Sequence, residues 1–486
     1  MCLVGALGAL LGGCAVGPNY HRPKVPVPTQ FKELDGWAAA APADTAPKGD
    51  WWTDFQDPLL DQLEPLVAVS NQTVRQSYAN YQQAAAELQV ARSQLFPAID
   101  VNGSVTRSGG PGSGSSSLTA ARTGSHVVNA GSLEGSASWS LDIWGKIRRT
   151  IEQSAATAQA DEATLANATL SEQTLLATTI FQLRLADADI DLQKRTVEAY
   201  KESLRIVQAQ AAAGITATPP SAVITAQVAL ESAQANLTGM GVARAEYAHA
   251  IAVLVGKNPE DLDIPQGTSW PTLPTVPAGV PSTLLERRPD IAAAERAMAA
   301  QNAGIGVAIA AYYPTLSLSA ADGFTQSPLA GLLHTANNVW SVGAASTETI
   351  FDFGARHGEV KAARAAYEGA VASYRGTVLS AFESVENDLS GLRILAEQAQ
   401  QLDIAVRDAV RGTEIALHEF QAGTVDYTTV AAAQVTQLND QQAQLSVQEN
   451  RLVHAVSLIA DLGGGWSDGQ LREAPHLPKP TPTESP

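Results

Sequence analysis

The chain is 486 residues long and carries 31 Lys and Arg against 49 Asp and Glu, a net charge of −18, with 16% charged and 6% aromatic residues. That acidic balance argues against nucleic acid as a partner, because phosphate binding needs clustered Lys and Arg. Beyond the N-terminus no apolar run reaches the ~18 residues of a spanning helix, which excludes a multi-helix inner-membrane transporter, and the only cysteines, Cys2 and Cys14, cannot staple the body of the chain.

Residues 1–13 are small and apolar, like the h-region of a secretory signal. Leu11-Gly12-Gly13-Cys14 has the form of a lipobox: small residues admit a peptidase to the backbone, and the Cys14 thiol accepts diacylglycerol. Cleavage would leave Cys14 as an acylated first residue, and several acyl chains anchor firmly at ~0.8 kcal/mol per buried CH₂. Ala15 rather than Asp after that cysteine reads as outer-membrane sorting.

A first helical stretch ends at Phe96-Pro97. Ile99, Val101 and Val105 then alternate with Asp100, Asn102, Ser104 and Thr106. Further on, Leu133, Gly135, Ala137, Trp139, Leu141 and Ile143 alternate with Glu134, Ser136, Ser138, Ser140 and Asp142. Period two over about 10 residues is what a tilted membrane strand requires. The Gly- and Ser-rich connection from Ser108 to Gly131 reads as an exposed loop.

Gly145 to Gly214, 69 residues, reads as one long helix, ~100 Å at 1.5 Å per residue. Leu176, Leu183, Ile190, Val197, Leu204 and Ala211 fall seven apart, with Tyr200 and Val207 three beyond their neighbours, the heptad spacing of coiled-coil packing. Met240, Tyr247 and Leu254 continue it on a return helix that ends at Val255-Gly256.

The second half repeats these landmarks. Tyr313-Pro314, Phe353-Gly354, Ala422-Gly423 and Leu462-Gly463 follow the order of Phe96-Pro97, Trp144-Gly145, Ala213-Gly214 and Val255-Gly256. Gly354 to Gly423 is again 69 residues, with heptads at Val371, Val378, Val385, Leu392, Ala399 and Val406, then Leu438, Leu445, Leu452 and Ile459. An internal duplication at an offset of about 209 is the reading. Leu316 and Leu318 alternate with Ser317 and Ser319, and the repeat assigns a fourth strand from about Val339 to Phe351. Four strands cannot close a barrel, and open edges do not survive in lipid, so a pore requires several copies.

Enzyme readings fail on context. Gly465-Trp466-Ser467-Asp468-Gly469, with Glu473 and His476 after it, fits a nucleophile elbow but lacks the strand before and the helix after. Gly-Lys at 145–146 and 256–257 lacks the first Gly of a P-loop, and His418-Glu419 has Ala422 where a zincin helix has its second His. Asp187, Asp189 and Asp191 have the spacing of a Ca²⁺ loop, but Leu192 replaces its Gly, so they read as a solvated helix face. No catalytic, cofactor-binding or metal-binding residue is assigned; the one prosthetic group expected is the covalent lipid on Cys14.

Several motifs together resemble the TolC-type outer-membrane efflux factors, in their NodT-like lipoprotein branch. These are Gly17-Pro18-Asn19-Tyr20-His21-Arg22-Pro23 after the lipid cysteine, Trp51-Trp52 with Asp57-Pro58-Leu59, and Arg92-Ser93-Gln94-Leu95-Phe96-Pro97. Leu284-Leu285-Glu286-Arg287-Arg288-Pro289-Asp290-Ile291 and Phe420-Gln421-Ala422-Gly423 complete the set, which covers residues 14–466. The resemblance implies an α+β membrane protein: a homotrimer whose four strands per chain form a 12-stranded β-barrel, continued by an α-helical coiled-coil tunnel into the periplasm. It also implies a passive exit duct for small molecules, such as drugs or toxic compounds, in the bacterial outer membrane, docked to a periplasmic adaptor and an inner-membrane pump. The turns Gly214–Val223 and Gly423–Gln434 would form the entrance. Relatives carry there a Tyr, an apolar residue and an Asp ring; here Tyr427 matches, while Thr428 and Ala432 replace the other two and Ala222 stands where Asp is frequent in the first turn. Asp426 is the nearest carboxylate.

The expected organisation is therefore a signal peptide (1–13), a lipidated extended segment (14–50), a first repeat (51–265), a linker (266–282), a second repeat (283–466) and a disordered tail (467–486). The rival reading is an envelope-spanning coiled-coil structural lipoprotein without a pore. It leaves the period-two strands without a role.

Overall fold

The structure, a computed structural model, describes residues 15–28, 30–33, 50–111, 125–214, 219–267, 269–274, 287–467 and 471. The signal segment, Cys14, part of the first hairpin turn and nearly all of the C-terminal tail lie outside the described residues. In chain order the elements are α1 (Pro58–Ser70), α2 (Gln72–Ser93), β1 (Ala98–Pro111), β2 (Ser125–Leu141), α3 (Lys146–Ala212) and α4 (Pro220–Leu254). The second half has α5 (Pro289–Ala310), β3 (Thr315–Gln326), β4 (Asn338–Thr347), α6 (Ala355–Gln421) and α7 (Tyr427–Asp461). The two outgoing helices α3 and α6 are both 67 residues, and the two return helices α4 and α7 are both 35. No described helix is long and apolar enough to cross a membrane.

The chain divides into two compact units, one of residues 1–23, 82–159 and 295–373, the other of 24–81, 160–294 and 374–486. The first contains the sheet, four antiparallel strands in the order β1-β2-β3-β4. Its register pairs Val101 with Gly135, Trp139 with Leu318, and Leu318 with Ala344. β1 and β2 run farther than their alternation foretold, to Pro111 and from Ser125, so much of the expected Ser108–Gly131 loop is strand. Gly, Ser and Asn conceal this because they weaken the strand signal without preventing backbone pairing. β2 stops at Leu141, which leaves Ile143 outside the ladder, and β4 ends at Thr347 rather than near Phe351.

The second unit is helical. Asp57 starts α1, its Oδ1 accepting from the amides of Leu59 and Leu60 at 2.8 and 3.1 Å, with Pro58 at the first helical position where no amide is needed. The first helical stretch is two helices, broken at Asn71, whose Oδ1 caps α2 through the amides of Thr73 and Val74. Gly256, Gly423 and Gly463 adopt left-handed φ of 71°, 74° and 102° just beyond their helices. Each lets the next amide reach back a full turn, as Thr424 N does to Glu419 O at 3.0 Å. Leu176, Leu183, Ile190 and Val197 of α3 are buried, as are Val378, Val385 and Leu392 of α6, so these heptad positions form core, while Leu204, Ala211, Val371, Ala399 and Val406 are only partly buried. Full burial of such side chains contributes about 1.5–3 kcal/mol each. Trp51, Trp52 and Phe55 join that core, Phe55 meeting Phe181 at 5.3 Å between ring centroids. Arg184 reaches the other oxygen of the helix-starting Asp57 at 3.3 Å.

The expectation of a solvated face at Asp187, Asp189 and Asp191 fails for Asp189, whose Oδ1 is buried with no partner among the described residues and whose carboxyl burial pushes up, and fails most fully for Asp187. That residue is fully buried, paired with Arg244 at 2.6 Å and accepting from the Gly267 amide at 2.9 Å. The chain after α4 folds back over α3 there, which helical periodicity alone does not reveal. Asp191 is half exposed and pairs with Arg195.

Candidate functional site

The register assembles two faces of opposite chemistry. Ile99, Val101 and Val105 share one face with Leu133, Trp139 and Leu141, then Leu316, Leu318 and Phe324, then Trp340 and Val342, and its polar residues Asp322 and Asn338 meet each other at 2.9 Å. The other carries Asp100, Asn102 and Ser104, then Ser132, Glu134, Ser136 and Ser138, then Ser317 and Ser319. Ser104 and Ser132 hydroxyls meet across it at 2.8 Å. β4 alone shows poor alternation; its outward residues are identified only by their partners in β3. Many apolar-face residues are bare in the single chain, with Ile99, Val101, Trp340 and Val342 all more than 70% exposed. Among the described residues β1 and β4 each lack a partner on one edge. One greasy face, one Ser-rich face and two open edges describe a piece of a wall between lipid and water.

Aromatic rings gather where all four strands meet the helices. Trp144 stacks on Tyr313 at 4.8 Å, its Nε1 donating to Pro314 O; Trp139 Nε1 donates to Leu95 O; Phe351 and Phe353 lie 4.5 Å apart beyond β4. Amphipathic rings in such a band suit a membrane–water boundary. Both strand-to-helix corners are built alike. Asp142 accepts from Ile147 N and Arg148 N, and Asp352 from Gly354 N and Arg356 N, with Gly145 and Gly354 at φ of 79° and 89°.

The N-terminal segment is tied to the first corner. Val16 N donates to Trp144 O at 3.1 Å, and Arg149 donates to Val16 O, Gly17 O and Asn19 Oδ1. A Cβ at Gly145 would lie 2.7 Å from the Ala15 Cα, so only Gly lets the segment pass. Ala15, the residue after Cys14, thus sits within the aromatic band. Sequence reasoning missed Arg149; the polar run Gly17-Pro18-Asn19 was its only signal.

At the far ends of the long helices the two turns pack together. Tyr427 is buried among Val207, Ala222, Ala226, Ala416, Phe420 and Val430, 5.7 Å from the Phe420 ring centroid. Burial pushes the Tyr427 phenol up to about 12, and its Oη meets no partner among the described residues. Asp426 is exposed and caps α7; the Thr428 hydroxyl and the Thr429 amide hold its carboxyl below the usual range. Thr428 and Ala432 are exposed one turn apart. Ala222 is buried, so a carboxylate there would meet the Tyr427 cluster. The four candidate entrance residues therefore lie together, with Tyr427 as the packed centre and Asp426, Thr428 and Ala432 outermost. The elbow-like sequence follows α7 directly, with Gly465, Trp466 and Ser467 in no regular element, while Asp468, Gly469, Glu473 and His476 lie outside the described residues.

The chain is similar to known proteins over nearly its whole length. Residues 65–257 and 280–464 match the model of the family described as outer membrane efflux protein. The chain is 28% identical over 483 residues to the probable efflux pump outer membrane protein TtgC of Pseudomonas putida, covering 97% of each. It is 28% identical over 460 residues to the cation efflux system protein CusC of Escherichia coli, covering 94% of this chain and 96% of the relative. The outer-membrane channel OprN is similar in structure, with a TM-score of 0.85 at 28% identity over 93% of this chain and 100% of that one.

Proposed function

Because the chain belongs to the outer membrane efflux protein family, we propose that three copies close their sheets into one 12-stranded barrel and form a passive exit duct for small molecules. The observation that carries this reading is the two-faced sheet with two unpaired edges: three such sheets joined edge to edge leave no open edge in lipid and turn the Ser-rich faces inward. Exposed Leu379, Ile394, Ile404 and Ile415 on α6 and Ile224, Val228 and Val242 on α4 are apolar surface that neighbouring copies would cover. The equal helix lengths in the two halves, and the two separate family matches, support origin by duplication. A coiled-coil rod without a pore has no use for the polar face. As an outer-membrane component of a tripartite system, the duct takes its cargo from an inner-membrane pump through a periplasmic adaptor. The relatives' names, antibiotic, solvent and cation efflux proteins, bound the cargo class.

Lipidation of Cys14 belongs to the same reading, supported by the tether of Ala15 and Val16 to the aromatic corner. Three acylated N-termini would then enter lipid around the barrel rim. The test is to restore efflux in a bacterium lacking its own outer-membrane component, alongside its adaptor and pump. Wild type is expected to lower drug accumulation severalfold and to incorporate labelled palmitate. Cys14→Ser is expected to lose the label while keeping much of the efflux; equal labelling of both would overturn the anchor, and no efflux with a correctly inserted protein would overturn the duct.

A further inference from the structure

Five ionisable side chains meet where the second return helix ends. Asp388 of α6 accepts a hydrogen bond from His454 Nδ1 of α7 at 2.9 Å. Its Oδ2 is buried and meets no donor among the described residues, while Asp461, in the last turn of α7, lies beside it as a second carboxylate. Two neighbouring carboxylates repel when both are ionised, and a proton taken up by one of them relieves that repulsion. Asp461 is held in turn by Arg288 Nη1 at 2.8 Å, and Arg288 also donates to Asp461 O at 3.1 Å and to Asp290 at 2.7 Å. Thus His454 and Asp461 of α7 face Asp388, and Arg288 and Asp290 at the head of α5 act through Asp461; Glu449 of α7 bears on His454. A cavity of about 400 Å³ reaches Arg288, Asp290 and Asp461, and α3 lines it with uncharged side chains such as Asn167, Ser171 and Thr174. Protons therefore have a route to the cluster from water.

The first half builds the same joint without the carboxylate pair and its histidine; it has instead Glu172, whose Oε2 accepts from Asn71 Nδ2 at 2.9 Å. α3 and α6 start 209 residues apart, at Lys146 and Ala355, and α4 and α7 start 207 apart, at Pro220 and Tyr427. On that correspondence Thr179 stands for Asp388, Tyr247 for His454 and Leu254 for Asp461. Asn71 takes the place of Arg288, its amide donating to Leu254 O at 2.9 Å as Arg288 does to Asp461 O. Gly256 and Gly463 press alike on the carbonyls of Ser70 and Arg287, where an added Cβ would come within 2.2 and 2.3 Å. The joint forms without an Asp–His–Asp cluster, so that cluster is a separate property of the second half.

We propose that Asp388, His454 and Asp461 form a proton-operated latch: the closed joint of α5, α6 and α7 holds one proton between its two carboxylates, and the joint opens as that proton leaves. Burial first, and then Asp461, raises Asp388 to about 7, against the opposing hydrogen bond from His454. An opened joint, with both carboxylates in water, releases the proton near the ordinary Asp value of about 4. The closed state therefore binds the extra proton between about pH 4 and pH 7, so opening increases about tenfold per pH unit across that window and levels off above it.

Hydrogen–deuterium exchange on the full-length protein in lipid nanodiscs, from pH 5 to pH 8.5, tests this. After correction for the intrinsic pH dependence of exchange, amides over residues 452–464 are expected to exchange about tenfold faster per pH unit from pH 5 to pH 7 and then level off. Amides over residues 245–257, at the joint of the same molecule that lacks the carboxylate pair, are expected to show no such rise. Asp388→Asn is expected to flatten the profile at 452–464. Equal profiles at the two joints, or an unchanged slope in Asp388→Asn, would overturn the latch; if that variant fails to fold, the comparison within wild type decides. The readout is of the joint and not of transport, so its failure leaves the duct reading untouched.

Discussion

Glu64 sits fully buried in α1, and neither of its carboxylate oxygens meets a donor among the described residues. Burial pushes its carboxyl up to about 9 from an ordinary 4.5. The folded chain thus keeps a proton that the unfolded chain releases, and the stability tied to it is full below about pH 4.5 and is lost as pH rises toward 9. Glu64→Gln is expected to melt close to wild type at pH 4 and clearly above it at pH 8.5; a gap that does not widen with pH would show that Glu64 is solvated. At the proposed entrance Ala432 is exposed one turn beyond Thr428. Ala432→Asp would place three carboxylates at one aperture of a trimer, poorly screened by solvent. Divalent-cation block of single channels in planar bilayers is expected to sharpen, with assembly intact. Unchanged block and conductance would move residue 432 away from the opening.

At the level of elements, the strands set a sharper condition. Arg at Ala137 or Leu318, on the apolar face near mid-strand, is expected to cost about 2–4 kcal/mol of membrane stability, whereas Arg at Ser136 or Ser319 is expected to be far better tolerated. Insertion yield reads the difference, and the reverse order would mean a register shifted by one. Much of this architecture was legible in the chain. Gly145, Gly214, Gly354 and Gly423 bracket the long helices, and heptad residues such as Leu176, Leu183, Val378 and Val385 are buried, because a seven-residue apolar repeat lines one face of a helix. What stayed hidden depends on partners distant in sequence. Asn71 ends α1 because it can bond Leu254 O and Glu172, 183 and 101 residues away. Asp187 is buried because Arg244 and Gly267 come to it. Trp340 and Val342 face outward because Asp322 and Ala320 sit opposite. At the candidate entrance the sequence located the turn, but it could not show that Tyr427 is packed inward while Asp426 serves as a helix cap.

For the whole molecule the central claim is closure, in which the bare edge of β1 in one copy pairs with the bare edge of β4 in the next until three sheets complete a ring. The mature chain offers a clean background, since its only cysteine would be the acylated Cys14. One cysteine at Val101 in β1, combined in turn with one at Trp340, Val342 or Ala344 in β4, samples the possible edge registers on the outward face. Oxidation in native outer membranes, followed by denaturing gel electrophoresis, reads the outcome. At the matching register the bands are expected to stop at three chains, as a closed ring requires. A ladder running past three copies, or monomers alone at every register, would contradict a barrel built from three of these sheets.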